Sequence, residues 1–445
     1  MTRQRVLFIT TDPLTDTMPG PAIRAWHLAE ELSADHEVAL VSSVACTRAH
    51  PRMEVGVADP RAVEELYEWA SVVVGPGSVV TRYPCVGDGD TPLVVDIYDP
   101  YHLENLASPA SSPEETDVVV RQLVDVVNRD LRRGDFFLCA SERQRDFWIG
   151  SLTSIGRVNA RTHLGDERLD RLLAVVPFGV PSDPPSRTGP GLGHLLPADR
   201  RCWPVVLWGG GVYEWLDPVT LLQAVGRLRG EMPDIFLVFM GMGHPNPEIP
   251  PMPVAGRLRA AAEDLGMGPS VAFNSQWVPY EQRGAVLLDA TVGVSTNLDH
   301  LEARYSFRTR VLDYLWAGLP TVMTAGDVLS GLVEAEGVGV AVPPGDVDAL
   351  AEGIRRMATA PPDRAKVRDV AQRFRWDRVA RPLQEYCAAP WRAADRAAVG
   401  AVPPGAPDQG GGGTGDPGPG GGPRAASWRT RLARAADRTG RRFTR

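Results

Sequence analysis

The chain has 445 residues, 43% of them hydrophobic, and a formal net charge of −8. That length and apolar share suit about two to three domains with substantial cores, and the acidic balance excludes a protein that coats nucleic acid. Cationic residues number 47, but Lys366 is the only lysine, so arginine carries nearly all the positive charge.

The first run, "RVLFITT", is short, β-branched and apolar, and ends in polar turn residues. A loop, a helix and the strand "HEVALVSS" follow, which is the order of a parallel βαβ unit. The runs "SVVVG", "PLVVDIYD", "FFLCAS" and "LLAVVPFG" continue the alternation with helical stretches such as Glu114–Arg133. Together they predict one doubly wound domain over residues 1–180. Residues 181–203 are rich in Pro and Gly and lack periodicity, as a linker does. The pattern then restarts with "PVVLWGGG", a helix over Leu216–Arg229, "IFLVFMG", a helix near Arg257–Leu265, "VAFNSQ", "ATVGVST", "PTVMTA" and "VGVAV". This is a second parallel α/β domain, residues 204–376, and 377–390 are expected to cross back to the first. From 391 to 445 the composition is Gly/Pro-rich and then Arg-rich, which predicts disorder. Such a basic end either lies on an anionic membrane, with Trp428, Leu432 and Phe443 as weak anchors, or only solubilises the chain.

The cysteines Cys46, Cys85, Cys139, Cys202 and Cys387 are odd in number and widely spaced, with no CxxC pair, which fits buried thiols in a reducing compartment. No zinc-ligand spacing and no metal or cofactor signature stands out. The N-terminal apolar run is too short for a signal peptide and no run has spanning length. The expectation is a cytoplasmic protein.

Two parallel α/β domains in tandem turn their strand C-terminal ends toward one another, and ligands bind outside those ends. The loops there are the places to seek chemistry. After the first strand, "MPGPAIR" puts Gly20 and Pro21 at a helix start, with Arg24 one turn in. A helix start offers free amides to a phosphate or a sugar hydroxyl, and an arginine adds a bidentate contact; an ordinary capped surface helix is the plainer alternative. "VVDIYDP" places Asp96, Tyr98 and Asp99 at a strand end, either to orient sugar hydroxyls or as a turn opening. Ser141 and Glu142 fit helix capping. In the second domain Gly209, Gly210 and Gly211 follow a strand directly, where a ligand approaches backbone closely or the chain turns tightly. The Lys-Ser/Thr ending of a P-loop is missing, and Gly241 and Gly243 repeat the glycine signal more weakly.

The stretch "YSFRTRVLDYLWAGLPTV" carries the most. With Ser306 as the cap, Phe307, Val311, Leu312, Leu315 and Trp316 share a broad apolar arc, while Thr309, Arg310 and Asp313 occupy the remaining face. Such a face serves either a ligand or a weak surface ion pair.

In this order of residues the chain resembles the family 4 type (group 1) glycosyltransferases of the two-domain GT-B architecture, with a degenerate E-x7-E motif. The markers are "GPAIRAWHLAEEL" with "HEVAL", "VVPFGV", and above all "YSFRTRVLDYLWAGLPTV" with "GVGVAVPPGDVDALAEGI" downstream. The resemblance implies α/β domains of Rossmann-like, doubly wound form facing an interdomain cleft. It implies transfer of a sugar from a nucleotide-sugar donor to a hydroxyl of a saccharide, lipid-linked or small-molecule acceptor, with retention and without metal or cofactor, in glycan or envelope polysaccharide synthesis. By the same resemblance Asp313 takes the place of the glutamate that contacts the ribose. Tyr305 stands where the other glutamate belongs, with Glu302 one turn upstream as its substitute. The arginine and lysine that hold the diphosphate in relatives are missing after the second domain's first strand, which assigns that task to Arg308 and Arg310, helped by amides at Gly209–Gly211 and after Ser306. Phe307 and Thr309 complete the donor wall. Tyr98 replaces a family histidine, with Asp99 or His102 compensating. Among rivals, a phosphorylase needs a cleft lysine, which Lys366 is not; a nucleotide-sugar epimerase or a non-catalytic nucleotide-sugar-binding subunit stays open.

Overall fold

A computed structural model of the chain describes residues 3–107, 112–197, 204–249 and 252–396. Apolar runs buried on both faces become parallel strands, because covering helices exclude water from either side. Seven make the first sheet: β1 (Arg5–Thr10), β2 (Glu37–Ser42), β3 (Met53–Val57), β4 (Val72–Pro76), β5 (Leu93–Asp96), β6 (Phe136–Cys139) and β7 (Leu173–Val175), in the order β3-β2-β1-β4-β5-β6-β7. Six make the second: β8 (Val205–Trp208), β9 (Phe236–Phe239), β10 (Val271–Phe273), β11 (Val292–Ser295), β12 (Thr321–Thr324) and β13 (Gly339–Val342), in the order β10-β9-β8-β11-β12-β13. All pairings are parallel. Strand order reverses at β1/β4 and again at β8/β11, so each sheet opens a crevice at its C-terminal edge.

Local chemistry moves several expected boundaries. The helix after β8 runs Pro218–Leu228, because the Asp217 side chain caps it at Thr220 N–H and Pro218 opens the first turn. The next begins at Pro253, earlier than the sequence suggests, for the same proline reason. Ser306 is not the cap of the helix it precedes. It closes the short helix Leu301–Tyr305, with its hydroxyl donating to Ala303 O at 3.1 Å, and the following helix, Thr309–Ala317, starts after Arg308. That helix ends at Gly318, whose φ of 69° is left-handed and suits glycine.

The segment 181–197 is not a free tether. Trp316 Nε1 donates to Asp183 O at 2.8 Å, and Leu192, fully buried, donates its N–H to Asp289 at 3.0 Å. At the other end the chain crosses between domains where Val180 N–H meets Phe374 O at 2.8 Å and Trp376 N–H meets Val180 O at 3.1 Å. The helices Trp376–Val379 and Arg381–Ala388 follow, and Tyr386 stacks on Phe136 of β6 at 4.8 Å. Packing extends beyond 391, where the composition alone predicts disorder. Asp395 makes a fully buried ion pair with Arg157 at 2.8 Å, and Ala393 N–H reaches Asp135 at 2.9 Å. The Arg-rich end and Cys202 lie outside the described residues. Cys46, Cys85, Cys139 and Cys387 are free thiols, but only Cys139 and Cys387 are buried as expected, Cys46 and Cys85 being half-buried; among the described residues no helix is long and apolar enough to cross a membrane.

The domains touch on both sides of the cleft. On one, Tyr280 N–H donates to Asp16 O at 2.8 Å and the Tyr280 hydroxyl lies 2.7 Å from His27 Nε2. On the other, the Gln144 amide donates to Tyr98 O at 2.7 Å and Tyr305 O at 2.8 Å, bridging the two domains.

Candidate active site

A cavity of about 370 Å³ lies in this cleft. The loops after β1 and β5 supply Asp12, Gly20, Tyr98 and Asp99, with Glu104 from the next helix; the second domain supplies Gly209–Gly211, Phe307, Arg308, Thr309, Arg310 and Asp313. Parallel-strand topology thus brings these loops to one place.

Arg308 and Arg310 stand at the start of Thr309–Ala317, where helix amides point outward. Arg310 lies over the Trp208 ring at 4.5 Å and donates through Nη2 to Gly211 O at 2.9 Å. Its Nη1 is buried with no partner among the described residues, and burial lowers its pKa. Arg308 donates through Nη2 to Glu302 at 2.7 Å, and its Nε is likewise buried and unpaired. Two guanidinium groups held in place with unused donors make an anion site. One turn on, Asp313 is 30% exposed and accepts from Arg283 Nε at 3.2 Å through Oδ1. Arg283 is itself fixed by the Tyr280 carbonyl and hydroxyl at 2.9 and 3.0 Å.

Facing the arginines is an acidic pair. Burial and the nearby charge of Glu302 push Asp99 up to about 6. Burial and Asp99 together raise Glu104 well above the carboxylate range, and the hydrogen bond between them favours a protonated Glu104 donating to an ionised Asp99. Such a pair titrates as a unit. Burial also raises the Tyr98 phenol well above its ordinary value.

Other expected residues are placed elsewhere. Arg24 is fully buried and does not line the cavity: Nε and Nη2 grip Asp96 at 2.6 and 3.0 Å, and Nη1 donates to Pro177 O at 2.9 Å. It braces β5 against the chain after β7, and both groups are consumed by that brace. Glu302 lies behind Arg308 and orients it from outside the cavity lining. Tyr305 packs on Phe147 of the first domain at 4.8 Å. Ser306 is turned inward by its bond to Ala303. His102 stacks on Phe147 at 5.9 Å, away from the cavity, and burial lowers its pKa to about 4, so it does not stand in for the family histidine. The Gly209 amide is occupied by the Tyr314 hydroxyl at 2.7 Å and leaves no donor for a phosphate. Ser141 caps its helix at Gln144 N–H, as expected of it.

Sequence reasoning missed Asp12, Glu104, Tyr213, Trp215, His244, Trp277 and Arg283. All but Glu104 and Arg283 sit on loops directly after strands β1, β8, β9 and β10, so the same loop criterion reaches Asp12 and, extended to aromatic residues, Tyr213, Trp215, His244 and Trp277. Glu104 and Arg283 lie in helical turns, where nothing in the local sequence marks them.

Residues 204–360 match the family described as Glycosyl transferases group 1. No curated protein matches the chain in sequence. Sucrose-phosphate synthase from Thermosynechococcus elongatus superposes with a TM-score of 0.61 at 16% identity, over 86% of this chain and 98% of its own. HepE from Anabaena, solved with UDP-glucose, gives 0.59 at 14% identity over 87% and 100%. WaaG, a glycosyltransferase involved in lipopolysaccharide biosynthesis, gives 0.54 at 15% over 90% and 100%. These likenesses show the GT-B fold of two facing Rossmann-like domains, and the match over residues 204–360 supports a glycosyltransferase enzyme.

Proposed function

We propose that the cleft binds a nucleotide sugar and transfers its glycosyl group to an acceptor hydroxyl, with retention of configuration. The observation that carries this reading is the pair of buried, partly unpaired guanidinium groups of Arg308 and Arg310 at a helix start on the cleft wall. As the glycosidic bond breaks, negative charge gathers on the leaving diphosphate. Fixed donors aimed there stabilise the transition state more than the ground state, and this role calls for no metal or cofactor. Among the described residues Asp313 keeps Oδ2 free of hydrogen bonds and is the acceptor for ribose hydroxyls, while Arg283 holds it through Oδ1. Phe307, Thr309 and the loop Gly209–Gly211 shape the donor pocket. At Gly20, a helix start one wall away closes on the donor, and Tyr98 and Asp99 face the transferred sugar. The contacts that join the domains exclude water and so favour transfer over hydrolysis. Fold relatives solved with UDP-glucose support a nucleotide-sugar donor. An envelope polysaccharide or glycolipid as product, and action at the cytoplasmic face of a membrane, extend the same proposal.

The test is calorimetric titration with UDP, GDP, ADP and TDP, followed by assay with the matching radiolabelled nucleotide sugars. Arg308→Ala and Arg310→Ala each lower affinity for the bound nucleotide about tenfold or more, and Asp313→Asn weakens it by a smaller factor, since charge-assisted bonds contribute about 1.5–3 kcal/mol each. Unchanged affinity in all three variants places the donor elsewhere. Changed sugar stereochemistry without acceptor identifies an epimerase, and binding without turnover a non-catalytic subunit.

A further inference from the structure

The first helix, Gly20–Leu32, carries His27 and Glu30 one turn apart, so the two side chains meet. Glu30 lies 2.9 Å from His27 Nδ1 and 3.3 Å from His50 Nε2, and the His27 ring stacks on Trp376 at 5.1 Å with planes 19° apart. The contact with His27 lowers the pKa of Glu30, so its carboxylate has only lone pairs to offer and the shared hydrogen belongs to Nδ1. Burial lowers the pKa of His27 and keeps the ring neutral, which leaves Nε2 as an acceptor. The Tyr280 hydroxyl of the second domain lies 2.7 Å from that nitrogen and is therefore the donor.

With its hydrogen turned to the first domain, the Tyr280 hydroxyl has a lone pair for its own. Arg283 Nη2 donates to it at 3.0 Å, and Nη1 donates to the Tyr280 carbonyl at 2.9 Å. The guanidinium also packs on the rings of Tyr280 and Trp316, 3.7 and 4.7 Å from their centroids. Held at both outer nitrogens, Arg283 spends Nε on Asp313 Oδ1 at 3.2 Å. Glu30, His27, Tyr280, Arg283 and Asp313 thus form one hydrogen-bonded line that crosses the domain boundary. Its last three members line the cavity, and Glu30 and His27 do not.

We propose that His27 and Tyr280 are positioning residues for the recognition of the vicinal ribose hydroxyls of a nucleotide, a reading that rests on the donor site assigned above. His27 sets the direction of the Tyr280 hydroxyl, that hydroxyl fixes Arg283, and Arg283 holds Asp313 by one oxygen so that the other is left for the ribose. Without an acceptor at His27 the buried Tyr280 hydrogen has no partner there, and the hydroxyl is free to turn its lone pair away from Arg283. A side chain of the first domain that lies outside the cavity lining then decides how firmly the second domain reads the ribose. The consequence is specific to those hydroxyls: the diphosphate rests on Arg308 and Arg310, which take no part in this line.

Calorimetric titration of the full chain with UDP, GDP and ADP, each beside its 2′,3′-dideoxy form, separates positioning from a general loss of structure. For the nucleotide that binds, the wild type is expected to prefer the ribo form. Tyr280→Phe and His27→Leu each reduce that preference about fivefold, while affinity for the dideoxy form changes by less than about twofold. His27→Gln, which supplies an amide oxygen as acceptor in place of Nε2, restores the preference. In an Asp313→Asn background Tyr280→Phe has no further effect on it. A preference that keeps its wild-type value in both variants, or a loss shared equally by the dideoxy form, overturns the proposal. So does an undiminished effect of Tyr280→Phe in the Asp313→Asn background. If the variants behave as expected but no nucleotide sugar yields product, the positioning role stands and the glycosyltransferase reading fails. If none of the nucleotides binds the wild type, the donor site itself is refuted and the proposal falls with it.

Discussion

Asp130 accepts from Val80 N–H at 3.1 Å through Oδ1, while its Oδ2 is buried with no partner among the described residues. Burial pushes its pKa from 3.8 up to about 7. The folded chain thus holds a proton that the unfolded chain releases between those values, so this group's contribution to stability falls as pH rises through that window. Asp130→Asn keeps the acceptor for Val80 and removes the charge. Melting curves are expected to show the variant more stable than wild type at pH 8 by about 2–4 °C for each kcal/mol relieved, with the difference vanishing toward pH 4. Equal melting at pH 8 would show that the wild-type carboxyl suffers no such strain. Arg24 shows why single residues are the hardest scale to read from sequence. Its partner Asp96 is 72 positions away, and nothing near Arg24 distinguishes an arginine spent on a brace from one offered to a ligand. Arg310 stands out in the sequence because the helix pattern leaves it on the polar face with Thr309 and Asp313, whereas Arg308 precedes that helix and is singled out only by the cations missing after β8.

At the scale of elements, Tyr314 does for β8 and β11 what capping residues do for helices. Its hydroxyl receives Gly209 N–H at 2.7 Å and donates to Val294 O at 2.9 Å, tying the two strands at the reversal point beside the cavity. Tyr314→Phe leaves a buried N–H without an acceptor and is expected to cost about 1–3 kcal/mol in urea unfolding; a loss within error would mean that water replaces the hydroxyl there. Most strands are legible because buried parallel strands are short continuous apolar runs, and the central β8 (VVLW) and β9 (FLVF), buried along their whole length, follow that rule most closely. β3 escaped notice: its sequence, MEVGV, carries a charge and a glycine and lies at the sheet edge, where one side needs no partner. The glycines after β8 read as places of close approach or tight turning, and they line the cavity, but a local sequence does not show that Tyr314 and Tyr213 fold over Gly209 and Gly211.

For the whole molecule, the cleft is held shut from both sides, and Gln144 spans one lip with a single amide. Gln144→Ala removes its interdomain bond to Tyr305 O together with its bond to Tyr98 O within the first domain. Small-angle scattering is expected to show a larger radius of gyration for this variant without ligand, shrinking to the wild-type value on addition of the nucleotide it binds; identical curves without ligand would mean that the remaining contacts, those of Arg143 with Arg304 O and Gly326 O and those of Tyr280, suffice to keep the domains together. That two domains face one another followed from the repeated strand and helix alternation. Their degree of closure did not, because it rests on contacts such as Gln144 with Tyr305, 161 residues apart.

The return of the chain after Arg375 makes the second domain an inset within the first. During translation the first seven strands leave the ribosome early, yet the places that Trp376, Tyr386 and Asp395 fill in their domain stay vacant until the last of these residues clears the exit tunnel. The half that begins first is therefore the half completed last, and a chain cut after residue 370 would carry every strand of the second sheet beside an unsealed first domain.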